Sequence, residues 1–181
     1  MNLPLFSLLA SLLVPVALGA QANPFDQPNK PPAVAGTTID TPHLSVVPGS
    51  STDKIAPGAK VSLSFDITPR RGIHVYAPGK HTYQVVRMTL DPQPWLKAQP
   101  TSYPPSEIYH FEPLNEKVEV YQKPFRLSQD IAVLTTPEAQ KQLAGQKDVV
   151  VSGKLDYQAC DDKVCYAPRS VPVKWTLAVA K

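Results

Sequence analysis

Lys60-Val61-Ser62-Leu63-Ser64-Phe65-Asp66-Ile67 is the stretch from which the fold is read. Val61, Leu63, Phe65 and Ile67 alternate with Lys60, Ser62, Ser64 and Asp66, the two-residue period of a strand with one packed face and one wet face. Outward from it, further strands are expected at Leu44 to Val47, Ile73 to Tyr76, Thr82 to Leu90, Val118 to Tyr121, Phe125 to Leu134, Val149 to Ala159 and Val171 to Val179. In the last of these, Val171, Val173, Trp175, Leu177 and Val179 share one face and offer a bulky apolar anchor. Pro and Gly punctuate nearly every gap. Only Pro137 to Ala144 looks helical, with Thr136 as N-cap and Gly145 as stop, and its length makes it a connector. Seven or eight short strands separated by turns predict an all-β fold, an immunoglobulin-like antiparallel β-sandwich.

Composition points the same way. Proline supplies 21 of the 181 residues, against an ordinary share of roughly 5 %, and breaks the chain too often for long helices. The formal charge of +3 is small and evenly spread, which gives no support to nucleic-acid or membrane-surface binding. From Leu3 to Ala20 no side chain is charged, and Ala20-Gln21-Ala22 has the small-x-small pattern of a signal-peptidase site. Residues 1–22 are therefore expected to be a leader cleaved after Ala22 or Ala20, although no Lys or Arg precedes the apolar run. Pro4 and Pro15 argue against a stable spanning helix there. Residues 23–41, rich in Pro, Asn, Gly and Thr with no apolar period, are expected to form an extended tether. One domain over 42–181 follows, in an oxidising space where disulfides persist.

The only two cysteines stand five positions apart, in Tyr157-Gln158-Ala159-Cys160-Asp161-Asp162-Lys163-Val164-Cys165-Tyr166-Ala167-Pro168. Closing so short a loop stabilises a fold by only roughly 2 kcal/mol in the chain-entropy model. A staple would gain more by joining distant strands, so the spacing suggests a pair that is opened and closed. Residues flanking a four-residue turn reach the Cα separation a disulfide requires. Along the preceding strand Val149, Val151, Leu155, Tyr157 and Ala159 fall on one face, while Ser152, Lys154, Asp156, Gln158 and Cys160 fall on the other. Regular pleating thus predicts that Cys160 faces outward, within reach of a partner, unless a bulge near Gly153 reverses it. Asp161 and Asp162 disfavour a thiolate, so the pair is not a permanently activated nucleophile. It lacks the C-x-x-C spacing and helix start of a thioredoxin. A plain structural bond in a binding module of the same fold stands as the alternative.

Other constellations carry less. His74, His81 and His110 with a cysteine would make a copper site, but neither His nor Met follows Cys165 as a blue-copper centre needs, and no metal or cofactor is expected. Lys54, Lys60, Arg70, Arg71, Lys80 and Arg87 form no dense run and read as a solvated face. No Gly-x-Ser-x-Gly elbow supports hydrolase chemistry. Trp95 and Tyr103, in a Pro-rich connection, read as core aromatics or as exposed contacts for a partner.

The hairpin residues Tyr157 to Cys160, the acidic turn, and Cys165 to Pro168 resemble the active-site hairpin of the N-terminal periplasmic domain of the DsbD thiol:disulfide interchange family. Gly72-Ile73-His74-Val75-Tyr76-Ala77-Pro78-Gly79 is similar to that domain's aromatic early strand. Glu119-Val120-Tyr121 is similar to the strand after its cap loop. The resemblance implies an immunoglobulin-like domain that shuttles electrons to oxidised thioredoxin-fold partners in the periplasm, as a protein-disulfide reductase component of the kind used in cytochrome c biogenesis. It implies that Cys165 forms the mixed disulfide with the partner and Cys160 resolves it. It places His74, Tyr76, Tyr166 and Pro168 beside the cysteines, with Asp161 and Asp162 in the turn. It also implies a cap loop within Phe111 to Glu116, in which Phe111 or Leu114 stands for the family's shielding phenylalanine; this segment lacks the aromatic pair and glycine of DsbD caps. DsbD proteins continue into a membrane electron channel and a thioredoxin-like domain. This sequence ends at Lys181, so a membrane thiol transporter or a separate thioredoxin-like protein is the expected source of electrons.

Overall fold

The computed structural model describes residues 34–112 and 115–180. The expected leader and the first part of the expected tether lie outside the described residues.

Fourteen strands and one helix follow one another among the described residues. The first sheet takes β1 (Val34–Ala35), β2 (Ile39–Asp40), β3 (Leu44–Ser50), β5 (Lys60–Pro69), β8 (Leu96–Ser102) and β11 (Phe125–Val133), in the order β1-β3-β5-β11-β8 with β2 also on β3. The second orders β4 (Lys54–Ile55), β14 (Arg169–Val179), β12 (Asp148–Tyr157) and β7 (Arg87–Leu90). Pairing is antiparallel throughout these sheets except between β14 and β4. The helix α1 (Pro137–Leu143) is a connector, N-capped by the Thr136 side chain, which accepts from the Ala139 amide.

The core follows from the alternation. Val61, Leu63, Phe65 and Ile67 on β5 and Val171, Val173, Trp175 and Leu177 on β14 are all buried. Phe65 and Trp175 stack across the two sheets with centroids 5.1 Å apart. The Trp175 indole N–H, which burial would leave unsatisfied, donates to the Gly49 carbonyl at 3.0 Å. Full burial of each such apolar side chain is worth roughly 1.5–3 kcal/mol, so these two strands anchor an immunoglobulin-like antiparallel sandwich.

Three departures from the expected layout have physical causes. Residues 34–40 do not form a free tether: β1 and β2 pair with β3, because the edge of β3 offers backbone donors and acceptors that even an apolar-poor segment can satisfy. Strand β8 arises in the Pro-rich connection. Pro100 is tolerated because β8 is an edge strand and the register against β11 shifts beside it, between Gln129 and Ile131. The expected Thr82 to Leu90 strand forms only from Arg87, and Trp95 is buried in the core while Tyr103 packs against it.

The third sheet orders β13 (Ala159–Cys160), β6 (His74–Tyr76), β10 (Glu116–Tyr121) and β9 (Glu107–Phe111). The chain leaves the second sheet at Tyr157 and joins the third at Ala159, so a single residue, Gln158, carries the fold from one sheet to the next. Gly153 makes no bulge, for β12 keeps unbroken register with β14. A Cβ there would lie 2.5 Å from the Thr89 carbonyl oxygen, which is why the strand carries glycine.

Candidate functional site

Cys160 and Cys165 are disulfide-bonded, with Cα atoms 4.1 Å apart. The hairpin between them is built by Asp161. Its Oδ1 accepts from the Lys163 and Val164 amides, both at 2.8 Å, its Oδ2 accepts from the Tyr166 hydroxyl at 2.8 Å, and its own amide donates to Val164 O at 3.0 Å. An Asx turn of this kind sets the bend without glycine. Tyr166 N–H then donates to Ala159 O at 2.8 Å, and the Tyr166 ring stacks on His43 with centroids 4.3 Å apart. The Val164 and Lys163 amides and the Tyr166 hydroxyl hold the Asp161 carboxyl below the usual carboxylate range. Asp161 is thus anionic at neutral pH, with its charge spent on the turn.

The two sulfurs differ in access. Cys165 is exposed, whereas Cys160 is only 1 % exposed and packs with Tyr76, Val118 and Val120. The outward access expected for Cys160 is therefore corrected. Its side chain does leave the main core, which keeps Ala159. The face it enters is not solvent, because the third sheet carries its own small apolar cluster there, with Tyr83 and Tyr109 against it.

Tyr76 lies against both sulfurs. Its hydroxyl is 3.2 Å from Cys160 Sγ and 3.3 Å from Cys165 Sγ; disulfide sulfurs carry no proton, so the phenol donates. Burial pushes the Tyr76 phenol up to about 12, with Tyr83, Glu116 and Tyr109 adding to the shift, and the group keeps its proton at any physiological pH. The Tyr83 ring lies flat on the Tyr76 ring, centroids 4.2 Å apart and 5° from parallel. The Tyr83 hydroxyl donates to Glu116 Oε2 at 2.7 Å. On the other side His74 meets Tyr109 at 4.5 Å. Burial lowers the His74 pKa, the nearby Asp161 carboxylate opposing it, so the imidazole is neutral at pH 7.

A narrow cleft brings together His74, Tyr76, Phe111, Asp161, Cys160 and Cys165 from the residues expected at the site. Asp162 and Pro168 are exposed outside it, and Tyr166 supports the hairpin through its hydrogen bond to Asp161. Leu114 lies outside the described residues. Tyr83, Tyr109, Glu116 and Val118 also line the cleft, and no motif in the sequence marks these side chains as neighbours of the cysteines. The pattern of β9 holds a signal for Tyr109, since Glu107, Tyr109 and Phe111 share the inward face while Ile108 is 63 % exposed. Tyr83 sits in an irregular segment ahead of β7, where the expected strand does not form. His81 Nε2 donates to Ala77 O at 2.8 Å, and His110 Nε2 pairs with Asn115 Oδ1 at 3.0 Å. No cluster of three or more His, Cys, Asp or Glu side chains suited to a metal occurs among the described residues, and no described helix is long and apolar enough to cross a membrane.

Among solved structures, the chain is similar to the N-terminal periplasmic domain of ScsB from Proteus mirabilis, at 13 % identity and a TM-score of 0.49. That likeness covers 80 % of this chain and 49 % of the other, so this chain spans about half the length of its relative. The collagen adhesin CNA from S. aureus is more distant, at 15 % identity and a TM-score of 0.23 over 80 % of this chain and 42 % of that one. No curated protein matches the sequence. The family model for the N-terminal part of the thiol:disulfide interchange protein DsbD matches residues 45–175. Since that match takes in most of the chain and both cysteines, the protein belongs to the DsbD N-terminal family.

Proposed function

We propose that this chain passes electrons through the Cys160/Cys165 dithiol to the disulfides of oxidised, thioredoxin-fold proteins in the periplasm, and that a membrane thiol transporter reduces it again. The unequal exposure of the two sulfurs carries this reading. Exchange begins with one thiolate attacking a partner sulfur, and only Cys165 is open to a second protein. Cys160, buried behind it and already within bonding distance, is placed to resolve the mixed disulfide and release the partner. The leader expected at residues 1–22 would deliver the chain to that compartment.

A Cys160→Ala variant tests the assignment. It is expected to accumulate a covalent complex between Cys165 and an oxidised thioredoxin-fold protein, whereas Cys165→Ala accumulates none. Trapping by Cys165→Ala alone would reverse the roles of the two cysteines. The burial of Cys160 favours a second reading, in which the bond only pins a hairpin of a binding module; that reading predicts no complex from either variant.

A further inference from the structure

Among the described residues, the Tyr76 hydroxyl is a side-chain hydrogen-bond partner of both sulfurs. That hydroxyl has a single proton and lies 3.2 and 3.3 Å from Cys160 and Cys165. The ring is held so that it cannot favour one sulfur by swinging: β6 is buried along its length, Tyr83 stacks flat on Tyr76, and the Tyr83 hydroxyl is tied to Glu116. We propose that the Tyr76 hydroxyl is a shared hydrogen-bond donor, a catalytic group that stabilises thiolate on Cys165 during attack and then on Cys160 during resolution, without moving. This rests on the exchange reading above.

In the forward direction the Cys165 thiolate attacks a partner sulfur. A Cys165–partner bond forms, the partner disulfide breaks, and its second sulfur leaves as thiolate with the electron pair. Cys160 gives its proton to solvent and, as thiolate, attacks Cys165 Sγ. The Cys160–Cys165 bond forms, the mixed disulfide breaks, and the partner keeps both electrons, taking two protons in all. In the reverse direction the same hydroxyl stabilises whichever cysteine leaves, and a better-stabilised leaving thiolate departs faster. Since the phenol stays protonated far above neutrality, it donates throughout and never competes as a base.

The groups facing the phenol define what else titrates nearby. Glu116 is the carboxylate on the Tyr83 side and Asp161 the one on the hairpin side; His74 and His81 face the Tyr76 ring, and Tyr109 lines the same cleft. Both carboxylates oppose thiolate formation, and the Tyr76 hydroxyl offers both sulfurs a stabilising contact that adds no charge.

The test uses single-cysteine proteins, Cys160→Ala and Cys165→Ala, each with and without Tyr76→Phe, which keeps the stacked ring. The readout is the ¹³Cβ chemical shift of the labelled cysteine against pH, which needs no partner protein. Tyr76→Phe is expected to move both thiol titrations upward by about one pH unit, a tenfold loss of thiolate at neutral pH. Part of that loss is recovered by the greater nucleophilicity of the more basic thiolate, so exchange with a partner disulfide slows by about threefold. Incorporating 3-fluorotyrosine at position 76, a more acidic phenol, is expected to move both titrations downward, which separates donor strength from damage to the fold. Unchanged titration in either protein overturns the shared-donor role. Loss of partner exchange in the otherwise unaltered chain, with both titrations still shifting, refutes the exchange reading and leaves the Tyr76 contact standing.

Discussion

Reducing the Cys160–Cys165 bond is expected to cost little and leave the fold intact. The bond closes a loop of six residues, five apart in sequence, and restricting so short a loop in the unfolded chain is worth about 2 kcal/mol. The hairpin has other supports. Asp161 holds the turn through two backbone amides and the Tyr166 hydroxyl, Tyr166 N–H bonds Ala159 O, and β13 pairs with β6 through Ala159↔Val75 and Cys160↔His74. None of these needs the sulfur bond. For a chain of this size about 2 kcal/mol lowers the melting temperature by about 4–8 °C. Thermal unfolding of the oxidised protein and of the protein in excess reductant, followed by near-UV circular dichroism, measures the difference while every side chain stays native. A fall above about 15 °C, or loss of the near-UV signal at 25 °C on reduction, would refute the reasoning. The bond would then be holding the third sheet together.

Acid should destabilise the protein in two stages. Burial lowers the pKa of both His43 and His74, so the unfolded chain binds protons first and stability falls as pH drops below about 6.5; His74→Phe should flatten that stage in pH-dependent melting. The depressed Asp161 carboxyl contributes stability that is present above its unfolded value of 3.8 and is lost as pH falls through its lower native value, and Asp161→Asn should remove this second stage from the same curves. Phe65→Ala should cost about 3–5 kcal/mol in urea unfolding, since Phe65 is fully buried against Trp175. Gly153→Ala should cost about 1–3 kcal/mol by pushing Thr89 of β7 from β12, and an unchanged urea midpoint would contradict that close approach.

The sandwich was legible wherever one face of a strand packs and the other is wet. Val61 to Ile67 and Val171 to Leu177 carry that alternation, and their burial follows it except at Ser64, which is buried on the face expected to be wet. Strand β8 was not legible because only Leu96 is buried along it, leaving edge pairing to hold it and Pro100 to argue against it. The cysteine hairpin was legible as local chemistry: a polar four-residue turn with an aspartate at its start. Its accessibility was not, since pleating tells which face a side chain takes and not what covers that face. Cys160 is covered by β6 and β10, which lie far away in sequence. For the same reason Tyr76 was placed beside the cysteines, while Tyr83 and Glu116, which fix its ring through a contact across 33 positions, were not.

The central claim is that the Cys160–Cys165 bond is made to be exchanged, and its reduction potential tests that most directly. Equilibration against a glutathione or thioredoxin redox buffer, with the dithiol fraction read after acid quench and alkylation, yields the value. Exchange with thioredoxin-fold proteins predicts a potential between about −180 and −270 mV, within the span of known dithiol carriers. A potential below about −300 mV, the range of structural disulfides, would contradict it.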